Sequence, residues 1–106
     1  KVYFLIDGNG HSTTAHFMSL VKVHNLGTIL GEELGSNQFC TAGQTLFRLS
    51  NTKFVVSSAN NTHVSTAITV PDERGILPDF FVTQSIDDYL NKVDAVKNYT
   101  LKLIRK

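Results

Sequence analysis

The stretch that decides the fold is Val2-Tyr3-Phe4-Leu5-Ile6-Asp7-Gly8-Asn9-Gly10-His11-Ser12. Its apolar start contains β-branched and aromatic residues, which is typical of a strand buried on both faces. The Gly and Asn residues that follow tolerate positive φ angles, so the chain can turn sharply before a helix that Ser12 or Thr13 caps. The sequence therefore predicts a strand, a tight turn and a helix in immediate succession.

The predicted helix carries an apolar stripe and ends within residues 25–27. A second short strand follows at Thr28–Gly31. Strand, turn, helix and strand make a βαβ unit, which implies a parallel strand pair. The stripe recurs at roughly helical spacing and consists of Ala15, Met18, Leu20, Val21 and Val23.

The middle of the chain is β-rich and its end is helical. Residues 32–43 are polar without a period and predict a long loop, while strands over 44–49 and 53–57 flank a hairpin turn at Ser50-Asn51-Thr52. Residues 63–70 are a candidate further strand. After a brief strand at 80–82, Asp87 and Asp88 favour a helix N-terminus, and 94–104 repeats a helical pattern.

Length and composition limit the classes of protein that this chain can belong to. With 106 residues, residues 1–106 are expected to form a single domain. Ten Lys and Arg against nine Asp and Glu give a net charge of +1, which provides no broad field for nucleic acid or an anionic membrane. No apolar run is long enough for a membrane span. A buried strand directly after Lys1, with no initiator Met or polar lead-in, predicts a fragment of a longer protein.

The sequence implies neither a disulfide, nor a metal, nor an organic cofactor. Cys40 is the single cysteine, and with no cationic neighbours in its loop it is interpreted as a small apolar residue. Four histidines without paired cysteines do not match a structural zinc pattern.

Ser12 is the strongest candidate for chemistry. It follows a strand and a flexible turn and opens a helix, where unpaired N–H groups could stabilise an oxyanion. The alternative, equally physical, is that Ser12 only caps the helix. A nucleophilic serine needs a base, and none of the four histidines stands at a diagnostic spacing; these are His11, His16, His24 and His63.

An acidic group surrounds Arg74 in a Pro- and Gly-containing turn. Its members are Asp72, Glu73 and Asp79. The simpler interpretation is a solvated turn with an ion pair. The functional interpretation is that one carboxylate orients a histidine, as the third member of a catalytic triad does.

Several segments in order resemble one enzyme family, the tail-specific (C-terminal-processing) serine peptidases, a group that includes the tricorn core protease. The residues that carry the resemblance are the opening stretch through Ser12, the Ile29-Leu30-Gly31-Glu32 strand end, Arg74-Gly75-Ile76-Leu77-Pro78-Asp79, and the closing segment from Ser85 through 94–104. The resemblance spans nearly the whole chain. It implies the C-terminal part of a catalytic core with an α/β, crotonase-like (ClpP/crotonase-type) fold: a mixed sheet with a βαβ start, a β-hairpin insertion and C-terminal helices.

The resemblance also assigns roles to residues. Ser12 becomes the nucleophile, and the oxyanion donors become the amide of Thr13 and that of Gly8 or Gly10. The processing-protease branch has a lysine base where this sequence has Asn37, which cannot act as a base. This departure favours the tricorn-like branch, in which an upstream histidine serves as the base and an acidic residue completes a tetrad.

In that branch, aligning on Arg74-Gly75 gives the acidic role to Asp72 or Glu73, and the base would precede Lys1. The isolated fragment is therefore expected to be inactive, whereas the intact protein would be a serine endopeptidase acting on a peptide or protein substrate. Such proteins are often periplasmic, cell-envelope or secreted.

Two alternatives remain open from the sequence. A catalytically inactive member of the fold could be a peptide-binding module that adds a peptide strand to an exposed sheet edge. The chain could instead be an assembly piece that forms a homo-oligomer through an exposed strand edge.

Overall fold

The computed structural model describes residues 1–67 and 73–105. Their order is β1 (Tyr3–Ile6), α1 (Thr13–Val23), β2 (Thr28–Gly31), β3 (Phe39–Arg48), β4 (Val55–Val64), β5 (Phe80–Phe81), α2 (Ile86–Leu90) and α3 (Ala95–Ile104). The predicted α/β class is confirmed. Among these residues, no helix has the length and apolar character needed to cross a bilayer.

A three-stranded sheet with the order β1-β2-β5 forms the body. Both of its strand pairs are parallel within the described residues, so the mixed sheet that the resemblance implies is not seen there, and the antiparallel pair belongs to the separate hairpin. Tyr3 pairs with Thr28 and Ile6 with Gly31, as the βαβ pattern predicts. The continuation after Gly31 is paired too, because the Glu32 N–H donates to the Ile6 carbonyl at 3.1 Å. The carboxyl end of β1, from which the turn to Ser12 starts, is thus fixed by the central strand.

The core lies between this sheet and α1. Strand residues alternate between two faces, so Ile29 joins the α1 side while Leu30 points to the side on which α3 packs. The predicted burial of β1 on both faces is wrong at Leu5, which is 48% exposed because β1 lies at the edge of the sheet. The core cluster consists of Ile6, Ala15, Met18, Val21, Ile29, Leu34, Ala67 and Ile76.

The hairpin is longer than the sequence suggested and forms a sheet of its own. β3 and β4 are antiparallel, from Phe39 opposite Val64 to Arg48 opposite Val55. The predicted loop 32–43 therefore ends where β3 begins at Phe39. His63 and Val64, taken as the start of a further strand, belong to β4, and residues 68–70 of that prediction lie outside the described residues.

Both C-terminal helices begin where acidic and hydroxyl residues predict. The Ser85 side chain accepts the Asp88 N–H while the Asp88 carboxylate accepts the Ser85 N–H, which is a capping box. Asp94 caps α3 by accepting the N–H of Lys97. These caps fix where α2 and α3 begin, and α3 packs across the sheet, in contact with β1 and β2 and with its Tyr99 ring 6.0 Å from that of Phe80.

Candidate active site

Ser12 has the most unusual backbone of the site. Its φ is 54° and its ψ is −122°, and its side chain makes no capping hydrogen bond although it occupies the N-cap position of α1. Its carbonyl accepts the N–H groups of Ala15 and His16, so the helix holds the residue through its main chain. Ser12 is thus an exposed residue at positive φ, placed between the turn that follows β1 and the first turn of α1.

The turn before Ser12 is fixed by Asp7. The Asp7 side chain accepts the N–H of Asn9 at 2.9 Å, and its carbonyl accepts the N–H of Gly10 at 3.2 Å. The Gly10 amide is therefore engaged in the turn. Within residues 1–67 and 73–105, the amides of Gly8 and Thr13 donate to no acceptor, so they are the candidate oxyanion donors whose N–H groups are available.

Two other loops pack against this turn. A Cβ added to Gly35 would lie 2.1 Å from the Gly8 carbonyl oxygen and 2.6 Å from Cε1 of His11, so only a glycine fits there. Leu34 donates its N–H to the Ile76 carbonyl, and the Ile76 N–H donates to Ser36. The loop after β2 thus lies between the Ser12 turn and the segment that contains Arg74-Gly75.

Glu33 is the residue that joins these loops, and sequence reasoning missed it. Its carboxylate accepts two hydrogen bonds from the Arg74 guanidinium, at 2.6 and 3.3 Å, and one from the Gly75 N–H at 2.8 Å. The Arg74 guanidinium, helped by the Gly75 amide, holds the pKa of Glu33 below its ordinary value. The available signal was the acidic pair that directly follows the β2 strand end.

The acidic group that the sequence places around Arg74 is divided in the structure. Arg74 pairs with Glu33, while Asp79 pairs with Lys22 and accepts the Ile29 N–H at 2.9 Å. Burial alone would raise the pKa of Asp79, but the hydrogen bonds from Lys22 and Ile29 outweigh it and hold that pKa below its ordinary value. Asp79 therefore fastens β2 to α1.

Of the two candidate catalytic carboxylates, Glu73 lies within the described residues. Glu73 is exposed beside Arg74, and its carboxylate makes no hydrogen bond within the described ranges. Asp72 lies outside the described residues.

A cavity of about 290 Å³ opens beside Ser12. It is lined by Ser12, Ser36, Phe39, Cys40 and Thr41, none of which carries a charged side chain. The start of β3 therefore forms one wall of the site. Phe39 and Cys40 were not predicted as site residues because the sequence assigned them to a loop without a period.

The histidines do not complete a dyad with Ser12 in the part of the chain that the structure describes. His16 has a buried Nε2 without a partner there, and His24 ends α1. His63 is the register partner of Cys40 in the β3–β4 ladder, and Cys40 lines the cavity beside Ser12. Residues 1–67 and 73–105 contain no group of three or more His, Cys, Asp and Glu side chains that could hold a metal.

Comparison with known proteins gives a structural likeness only. No protein-family model and no curated protein matches the sequence. Among solved structures, the crystal structure of the tricorn protease matches with a TM-score of 0.63 and 17% identity, over 98% of this chain and 10% of that one. The fold is thus similar to part of tricorn protease, and the chain spans about one tenth of the length of that protein.

Proposed function

We propose that this chain is the nucleophile-bearing part of a serine peptidase, and that the full-length protein is an endopeptidase acting through an acyl-enzyme on Ser12. The observation that carries the proposal is the backbone of Ser12, with φ 54°, ψ −122° and no capping hydrogen bond. A residue in such a region costs about 1–3 kcal/mol, and this kind of strain concentrates at active sites. A helix cap needs no such strain, so the strain at Ser12 favours a functional role.

In the proposed reaction, the Ser12 hydroxyl oxygen attacks the carbonyl carbon of the scissile peptide while a general base removes the hydroxyl proton. The oxyanion accepts hydrogen bonds from the Thr13 and Gly8 amides, which are available, rather than from Gly10. The base returns the proton to the departing amine. Water then attacks the ester, and release of the carboxylate regenerates the serine.

The general base and its carboxylate partner complete the proposal. As the sequence resemblance implies, the base is a histidine from a segment that precedes Lys1, and Asp72 or Glu73 orients it. Support for Glu73 is indirect: its neighbours Arg74 and Gly75 are anchored by Glu33 to the loop that packs on the Ser12 turn. Membership of the tail-specific peptidases in their tricorn-like branch, the crotonase-like fold and a location outside the cytoplasm belong to the same proposal.

The test is hydrolysis of a fluorescein-labelled casein by the full-length protein, compared with its Ser12→Ala and Thr13→Ala variants. Ser12→Ala should lose cleavage. Thr13→Ala should retain it, because this substitution keeps the backbone N–H that the proposal uses. Equal cleavage by wild type and Ser12→Ala would overturn the proposal.

A peptide-binding module is the second candidate, and the open edge of β1 favours it. No described strand pairs with the outer side of β1, so an extended peptide could add there. Peptide binding by both wild type and Ser12→Ala, without hydrolysis by either, would identify this function.

A further inference from the structure

Residues 33–36 form a short loop, the bridge loop, that packs on the turn before Ser12. A Cβ added to Gly10 would overlap Cδ1 of Leu34, so this leucine side chain rests directly against the turn. Ser36, at the other end of the loop, lines the cavity that opens beside Ser12. The bridge loop is therefore in contact with the part of the chain that presents the candidate nucleophile.

The bridge loop also pairs with the segment that contains Ile76. The Leu34 N–H donates to the Ile76 carbonyl at 3.0 Å, and the Ile76 N–H donates to the Ser36 carbonyl at 3.3 Å. Within the parts of the chain that the structure describes, residues 73–75 take part in no hydrogen bond between main-chain groups. The main-chain pairing thus stops at Ile76, one residue short of the segment that carries the candidate acidic partner.

Glu33 supplies the hydrogen bonds that the main chain lacks at this point. Its carboxylate accepts both bonds of the Arg74 guanidinium and also the Gly75 N–H, at 2.8 Å. A single ion pair at the surface holds its partners weakly, but a two-bonded guanidinium–carboxylate pair has a fixed geometry. The bond from the Gly75 amide ties this pair to the backbone. Glu33 therefore fixes the main chain directly after Glu73.

We propose that Glu33 is a positioning residue of the peptidase, which sets where the acidic partner of the general base, Asp72 or Glu73, lies relative to Ser12. This inference rests on the proposed function, since the base and its acidic partner belong to that proposal. The bridge loop provides the connection, because Glu33 anchors the acidic segment while the rest of the loop packs on the turn before Ser12. Glu33 acts through its hydrogen-bond partners and takes no part in the bond-making steps.

Loss of this anchor should slow the reaction without weakening substrate binding. A displaced carboxylate orients the base poorly, and a misplacement of about 1 Å costs roughly 100-fold in rate. Glu33→Gln keeps the size of the side chain and removes its charge. In the full-length protein it should lower kcat for fluorescein-labelled casein by about 10- to 100-fold and leave KM within about twofold of the wild-type value.

The pH profile of Ser12 labelling by a fluorophosphonate gives a readout that a purely structural role would not change. A carboxylate beside an imidazole stabilises the protonated form of the base, so a displaced carboxylate lets the base lose its proton at lower pH. The acidic limb of the labelling rate should therefore move to lower pH in Glu33→Gln, by roughly one unit.

Two other acidic residues provide matched controls. Glu32→Gln changes the neighbouring carboxylate, which makes no hydrogen bond to the described residues, and it should behave as wild type. Asp79→Asn removes a carboxylate with the same kinds of partner as Glu33, a basic side chain and a backbone N–H, which here come from Lys22 and Ile29. It should lower the urea midpoint about as much as Glu33→Gln does, with the wild-type pH profile.

The failure of this role can be told apart from the failure of the proposed function. No labelling of Ser12 in wild type would overturn both. A labelled wild type with the same kcat and pH profile as Glu33→Gln would overturn only the role of Glu33, and so would an equal shift of the profile in Asp79→Asn. Circular dichroism checks the fold of each variant. If Glu33→Gln does not fold, Arg74→Gln, which leaves the Gly75 bond in place, is measured with the same expected shift.

Discussion

Ser12 differs from an ordinary helix cap in two ways: its φ is positive, and its side chain accepts no N–H of the helix. A cap normally has an extended backbone, and Ser85 at the start of α2 has it, with φ −75° and ψ 163°. The comparison of these two serines within one chain separates a structural cap from a candidate nucleophile. Sequence spacing cannot make that distinction, because both serines precede a helix.

The strain at Ser12 predicts the effect of glycine there. Glycine adopts positive φ without cost, so Ser12→Gly should be more stable than Ser12→Ala by about 1 kcal/mol, while both lose cleavage. Urea denaturation of the two variants measures the difference. A Ser12→Gly variant less stable than Ser12→Ala would contradict the strained geometry.

The close packing around Gly75 predicts that a side chain at this position would destabilise the fold. A Cβ there would lie 1.7 Å from the Leu34 carbonyl oxygen, which is main chain and cannot yield cheaply. Gly75→Ala should therefore destabilise the fold by about 2–4 kcal/mol. Gly8→Ala is the control, because its nearest neighbour would be 4.0 Å away, and it should unfold close to the wild-type urea concentration. Equal stability of the two variants would be evidence against this packing.

At the scale of elements, the sequence predicted the βαβ start, the hairpin and the C-terminal helices because each has local signals. Apolar periodicity fixed α1, and hydroxyl and acidic residues marked the starts of α2 and α3. Local sequence patterns did not predict the tertiary contacts. The pairing of Glu33 with Arg74 joins residues 41 positions apart, and no local pattern distinguishes it from pairing with Glu73 or Asp79.

The cavity wall at the start of β3 gives a prediction for Cys40. Because Cys40 and Ser12 line the same cavity, attaching a bulky maleimide to the thiol should block access to the serine. Labelling of Ser12 by a fluorophosphonate should fall after this treatment in wild-type full-length protein and stay unchanged in Cys40→Ala. Full labelling of Ser12 beside a modified Cys40 would contradict the shared cavity.

For the whole molecule, lowered carboxylate pKa values predict acid sensitivity. Hydrogen bonds from Arg74, Lys22 and Ser85 stabilise the ionised forms of Glu33, Asp79 and Asp88, respectively, and each pKa lies below its ordinary value. The unfolded chain then takes up protons at higher pH than the folded one. The free energy of unfolding therefore rises with pH over the range in which these three carboxylates ionise. The contribution should be complete above the ordinary Glu value of 4.5 and lost as pH falls through the lowered values.

Urea denaturation midpoints measured from neutral to acidic pH check this expectation. The triple variant Glu33→Gln, Asp79→Asn, Asp88→Asn should have a flatter pH profile than wild type. A wild-type urea midpoint that stays constant as the pH is lowered below 4.5 would contradict the assignment.

The most direct measurement of the central claim is fluorophosphonate labelling of the full-length protein, followed by mass-spectrometric mapping of the modified residue. Such a probe reports an activated serine without knowledge of the substrate. The account predicts a single phosphonylated peptide that contains Ser12, and loss of labelling in Ser12→Ala but not in Thr13→Ala. A folded full-length protein that is not labelled, or is labelled at another serine, would contradict it.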